Sequence, residues 1–123
     1  AVSQIFEDWG FEVVSVVCKA GRTPKRQIGI KREETIHQDM DESMCNPVYQ
    51  AQLLNHEKTE FNVLLGLCVG HDSLFFRYAD APTTVLAVKD RVTGHNPLAA
   101  IYLWESYYRK LRHPEVASDG EKT

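Results

Sequence analysis

Apolar positions along the chain alternate between helical spacing and short β-branched runs. In Ala1 to Trp9, Val2, Ile5, Phe6 and Trp9 share one helical face, and Gly10 follows as a stop. Phe11 to Val17 (FEVVSVV) is almost continuously apolar and reads as a strand buried on both faces, ended by Cys18-Lys19-Ala20-Gly21. Arg22 to Met44 has no period; Pro24, Gly29 and its charges predict a long loop with at most a short helical turn. Asn46-Pro47 supplies an N-cap and a first-turn proline for a helix through Tyr49, Leu53 and Leu54 to about His56. Phe61 to Leu67 (FNVLLGL) reads as the second strand, Cys68-Val69-Gly70-His71 as its turn, and Leu74 to Ala79 as a short helix capped by Asp72 or Ser73. Thr83 to Val88 (TTVLAV) reads as the third strand and Lys89 to His95 as a loop. Asn96-Pro97 opens a last helix, Leu98 to about Leu111, with Leu98, Ile101, Tyr102, Trp104 and Tyr108 toward the sheet. The segment from His113 is a polar tail.

Strands alternating with helices predict one α/β domain over residues 1–112, with residues 113–123 as the tail. The expected architecture is a three-layer, mostly parallel sheet of three to four strands, flavodoxin-like or Rossmann-like. The chain opens inside a helix with no strand before it, so an N-terminal strand is expected to be missing. An edge this apolar invites pairing. A homo-oligomer or a missing N-terminal segment would complete the sheet.

Composition narrows the function classes. The chain has 123 residues, 43% apolar and 25% charged, with a net charge of -3. That size holds one core rather than two. The basic residues Lys19, Arg22, Lys25, Arg26, Lys31 and Arg32 are diluted and followed by acidic ones, which reads as a solvated connection and not a nucleic-acid face. No apolar run nears the ~18 residues of a membrane span. No signal peptide is apparent, so the expected compartment is the cytoplasm. Three widely spaced cysteines make no disulfide framework; in a reducing compartment they read as ligating, catalytic or buried thiols.

Ligands of open parallel sheets bind outside the carboxyl ends of the strands. Cys18 and Lys19 follow the first predicted strand, Cys68, His71 and Asp72 the second, and Lys89, Asp90 and Arg91 the third. Cys45 and His95 each precede an Asn-Pro helix start. A lone cysteine is commonly just a small packing hydrophobe. Three at one rim point instead to chemistry.

One reading is a metal centre. Cys68-x-x-His71 has zinc-ligand spacing, and Cys18 and Cys45 complete a Cys3His set, with His95 an alternative to His71. Thiolates also suit an iron–sulfur cluster. A second reading is a cysteine-dependent enzyme acting on a small anionic substrate. There, a thiol at a helix N-terminus would be activated by a histidine that Asp72 or Asp90 orients, with Lys19 and Arg91 meeting the anion and Lys89 a further candidate site residue. A third is an interaction domain with structural cysteines. His37, His56 and His113 lie in polar contexts and read as exposed.

The segments CKAG (18–21), MCNP (44–47), GLCVGHDSLF (66–75), VKDR (88–91) and GHNP (94–97) together resemble a cysteine-rich prokaryotic family. That family is catalogued as a domain of unknown function and described as a candidate metal-binding family. The resemblance runs from about Phe11 to Tyr108. It implies longer members, with a cysteine-rich N-terminal segment and a further strand ending in a similar Cys-Val-Gly turn, so that this chain looks like their C-terminal part. The positions that match are Cys18, Cys45, Cys68, His71 and His95.

Overall fold

The structure, a computed structural model, describes residues 1–112. Its centre is a parallel β–α–β unit. Strand β1 (Asn62–Cys68) leads through helix α3 (His71–Tyr78) to strand β2 (Thr83–Lys89), and the two strands pair in parallel from Asn62↔Thr83 to Cys68↔Lys89. Helix α2 (Pro47–His56) precedes β1 and packs on α3. Helix α1 (Val2–Asp8) lies at the N-terminal end of the described chain, and α4 (Pro97–Tyr102) and α5 (Arg109–Arg112) follow β2. None of these helices is long and apolar enough to cross a membrane.

The core is small. Ala51 of α2, Leu64 and Leu67 of β1 and Phe75 of α3 form one buried cluster, with Cys18, Leu54, Ala79 and Val85 packed against it. Phe75 is its largest member, 1% exposed; burying a side chain of that size contributes about 1.5–3 kcal/mol. Leu64 and Leu67 reach the same core although three residues apart, which strict strand alternation forbids. The register shifts between Leu64 and Leu67, around Gly66 at φ +74°. A glycine in the left-handed region lets the strand bulge, and the bulge turns Leu67 back inward just before Cys68.

Most of the predicted elements are present, and two expectations are corrected. Residues 11–17 carry no turn, bend or ladder, so the sheet has two strands among the described residues rather than three to four. A β-branched run becomes a strand only when a neighbouring edge takes up its N–H and C=O groups. Here the Val16 carbonyl accepts a bond from the Gln50 side chain instead (3.0 Å), and Phe11 folds back edge-on against Phe6. The last helix is also interrupted. It runs Pro97–Tyr102, passes through turns, and resumes as Arg109–Arg112. Aromatic residues are weak helix formers and α4 buries none of its residues, so no docked face holds the helix together. The Ser106 hydroxyl donates to the Leu103 carbonyl, a side-chain bond that competes with the helical ladder.

Candidate metal centre

Three local structures converge on one rim. Between Cys18 and Cys45 the long loop closes on itself. Pro24 and Ser43 form an antiparallel bridge, the Lys25 amide donates to the Glu42 carbonyl (2.9 Å), and the Met44 amide donates to that of Thr23 (2.9 Å). The ion pair Lys25 Nζ–Glu42 Oε1 (2.6 Å) fastens the same neck, and Lys25 holds the Glu42 carboxyl below its ordinary range. Two short 3-10 turns, Lys25–Ile28 and Arg32–Glu34, fill the loop. The closed neck returns the chain so that the Asn46 amide donates to the Cys18 carbonyl (2.8 Å), setting Cys45 beside Cys18. Asn46 then caps α2 by accepting from the Tyr49 amide (2.9 Å), and the Tyr49 ring lies where a Cβ on Gly21 would come within 3.1 Å of it. The glycine thereby lets the 18–21 turn sit flat on the helix.

Cys68 and His71 are placed by the turn after β1. Asp72 Oδ1 accepts from the Gly70 amide (2.9 Å) and the Ser73 amide (3.1 Å), and Ser73 Oγ donates to the Gly70 carbonyl (2.6 Å). Gly70 sits at φ +94°, which reverses the chain so that His71, the first residue of α3, turns back toward Cys68.

The result is a compact group: ligand atoms of Cys45, Cys68 and His71 all lie within 4.8 Å of one another. Cys18 lies outside that group but near enough to Cys45 to act on its thiol. All three thiols are free and half-buried. His71 Nδ1 is buried with no hydrogen-bond partner among the described residues. A buried ring nitrogen without a partner costs about 1–3 kcal/mol, so the group stands one bond short of satisfaction. The Cys45 thiol is pushed up, chiefly by burial and then by the neighbouring thiols of Cys18 and Cys68, with Lys89 opposing them. Lys89 is near because it pairs with Cys68 in the sheet.

The other sequence candidates lie around this group. Lys19 is exposed, and Asp72 is committed to its turn. Asp90 accepts from Thr93 Oγ1 (2.6 Å) and the Val92 amide (3.0 Å), and these bonds, Thr93 first, hold its carboxyl below the ordinary range. His95 is exposed at φ +65° beside Asp90, outside the cysteine group. His37 and His56 are exposed, and His113 lies outside the described residues. One contributor was not singled out from the sequence. Gln50, 6% exposed, stands in the inward stripe Pro47, Gln50, Ala51 and Leu54, and its Nε2 ties α2 to Val16, two residues before Cys18. A lone polar residue inside that stripe was the available signal.

The architecture defines a mixed α/β protein with a Cys/His group at the carboxyl ends of its strands. A family model described as "Protein of unknown function (DUF1847)" matches residues 1–86, and the chain belongs to that family. It is similar to "Uncharacterized protein MJ0455" of Methanocaldococcus jannaschii, 47% identical over 101 residues, which cover 82% of this chain and 50% of the relative. The chain therefore spans about half the length of the curated relative it matches. No solved structure matches it.

Proposed function

We propose that this domain binds a single thiophilic metal ion, zinc by preference, through Cys18, Cys45, Cys68 and His71. The observation that carries the reading is the convergence of Cys45, Cys68 and His71 within 4.8 Å, with His71 Nδ1 buried and unpartnered at its margin. Three thiolates and one imidazole are a donor set for four-coordinate zinc. Such close spacing favours one ion over an iron–sulfur cluster, whose irons and sulfides hold the ligating thiolates further apart. Four protein ligands would close the coordination sphere, which is the pattern of a structural zinc site rather than a catalytic one.

The cysteine-dependent enzyme is less well supported. A nucleophilic thiol needs a lowered pKa, whereas Cys45 sits at a helix N-terminus with its thiol pushed up by burial. Two cavities, of about 210 and 340 Å³, are lined by Lys25, Arg32 and Met40 and by Asn55, Lys58 and Asp80 respectively, and by none of the cysteines. The parallel β1–α3–β2 unit is the repeating unit of flavodoxin-like and Rossmann-like folds, and three free thiols suit the cytoplasm.

X-ray absorption on the zinc-loaded protein tests the ligand set. Three sulfurs at about 2.3 Å and one nitrogen at about 2.0 Å are expected. A shell of oxygen and nitrogen alone would overturn the assignment.

A further inference from the structure

Residues 11–17 and β1 run to the same rim, where Cys18 ends one and Cys68 the other, and both lie against α2. Gln50 of α2 bonds the Val16 carbonyl, while Ala51 packs with Leu64 and Leu67. Yet no ladder joins the two segments. Residues 12–15 make no backbone–backbone hydrogen bond among the described residues, while the Phe11 N–H and the Val16 and Val17 carbonyls are taken, and β1, paired with β2 on one side, has one open edge. The side chains along these edges are apolar and uncovered: Phe11 is 63% exposed, Val17 70% and Leu65 55%. Gln50 Oε1 is buried with no partner among the described residues, although the amide nitrogen of the same group is bonded. An acceptor left beside an open edge matches the N–H of an incoming backbone.

We propose that the open edges of residues 11–17 and β1 receive a further apolar β-strand, parallel to both. The strand comes from the part of the longer family proteins that this chain does not span. The length relation argues for that occupant over a second copy of this chain: the curated relative is twice as long as the region it shares. A parallel strand also needs a crossover connection rather than a tight turn, which a longer chain supplies. The inserted strand would join residues 11–17 to β1 and β2 in one continuous sheet and end at the rim where the cysteines meet. The proposal stands on backbone edges and is independent of whether metal binds.

Amide hydrogen exchange read by mass spectrometry tests it on two proteins, the 123-residue chain and the full-length Methanocaldococcus relative, with sedimentation of each across a hundredfold concentration range. The expected result is a monomeric 123-residue chain whose amides at 12–17 exchange within tenfold of the unstructured rate. In the longer protein, the matching segment slows at least a hundredfold. Fast exchange in both proteins would overturn the proposal. So would slow exchange in the 123-residue chain, by self-association if it grows with concentration alongside a dimer, or by pairing within one chain if the protein stays monomeric.

Discussion

Replacing Cys45 by serine removes one of the three ligands that converge at the rim. Its sulfur lies within 4.8 Å of the ligand atoms of Cys68 and His71, with Cys18 close by. The backbone that holds it is fixed independently, by the Asn46 amide on the Cys18 carbonyl and by the Asn46 cap on Tyr49. The fold should therefore survive while binding does not. A structural zinc site is worth about 10–16 kcal/mol in all. Shared among four ligands, that is about 2.5–4 kcal/mol for each, or a loss of roughly a hundred- to a thousandfold in affinity. Serine does not recover it, because its hydroxyl stays protonated at neutral pH. The assay is competition against a chelator of known zinc affinity, with circular dichroism of the variant as a folding control. An affinity within threefold of wild type, in a variant with a wild-type spectrum, would refute the four-ligand reasoning.

Other perturbations probe the frame around the site. Phe75→Ala empties the largest buried side chain of a four-residue core and should cost about 3–5 kcal/mol, read as a fall in the urea midpoint; an unchanged midpoint would mean the core lies elsewhere. Gly66→Ala meets no neighbour within 4 Å, so its cost is backbone strain at φ +74°, about 1–2 kcal/mol, and the same variant should bind zinc more weakly as the bulge before Cys68 relaxes. Because burial and the other thiols hold the Cys45 thiol above its ordinary range, it is protonated in the metal-free protein at neutral pH. Zinc must displace that proton, so affinity should rise with pH, and calorimetry in buffers of different ionisation enthalpy should find proton release on binding. In the metal-free protein the sign is opposite: the stabilising effect of the neutral Cys45 thiol is present below the ordinary thiol pKa and lost as pH rises through the elevated one. Glu42→Gln removes the ion pair at the loop neck and should speed tryptic cleavage within residues 25–32, with equal cleavage rates counting against the neck as the loop's fastener.

The local elements were legible because their signals are local. Asn-Pro at 46–47, the apolar runs at 61–67 and 83–88 and the glycine turn at 70 each act within a few residues, and the structure has α2, β1, β2 and α3 there. The convergence of Cys45, Cys68 and His71 was legible through topology, since parallel strands deliver the residues after their last positions to one edge. Three things were not. The run at 11–17 has strand composition but no ladder, since pairing depends on a neighbouring edge that composition does not specify. The aromatic residues at 102–108 have helical spacing, but Tyr108 is buried while Tyr102, Trp104 and Tyr107 are half exposed or more, and the helix breaks. His95 echoes Cys45 in its place before Asn-Pro, yet its backbone is held on the Asp90 carbonyl and it does not join the group of Cys45, Cys68 and His71.

Elemental analysis of protein purified anaerobically without chelator, followed by cobalt substitution, tests the central claim most directly. The four-ligand site predicts about one equivalent of zinc and, with cobalt, the absorption of a tetrahedral ion bound by thiolates. Less than a tenth of an equivalent of any transition metal, with no thiolate–cobalt absorption on titration, would contradict it.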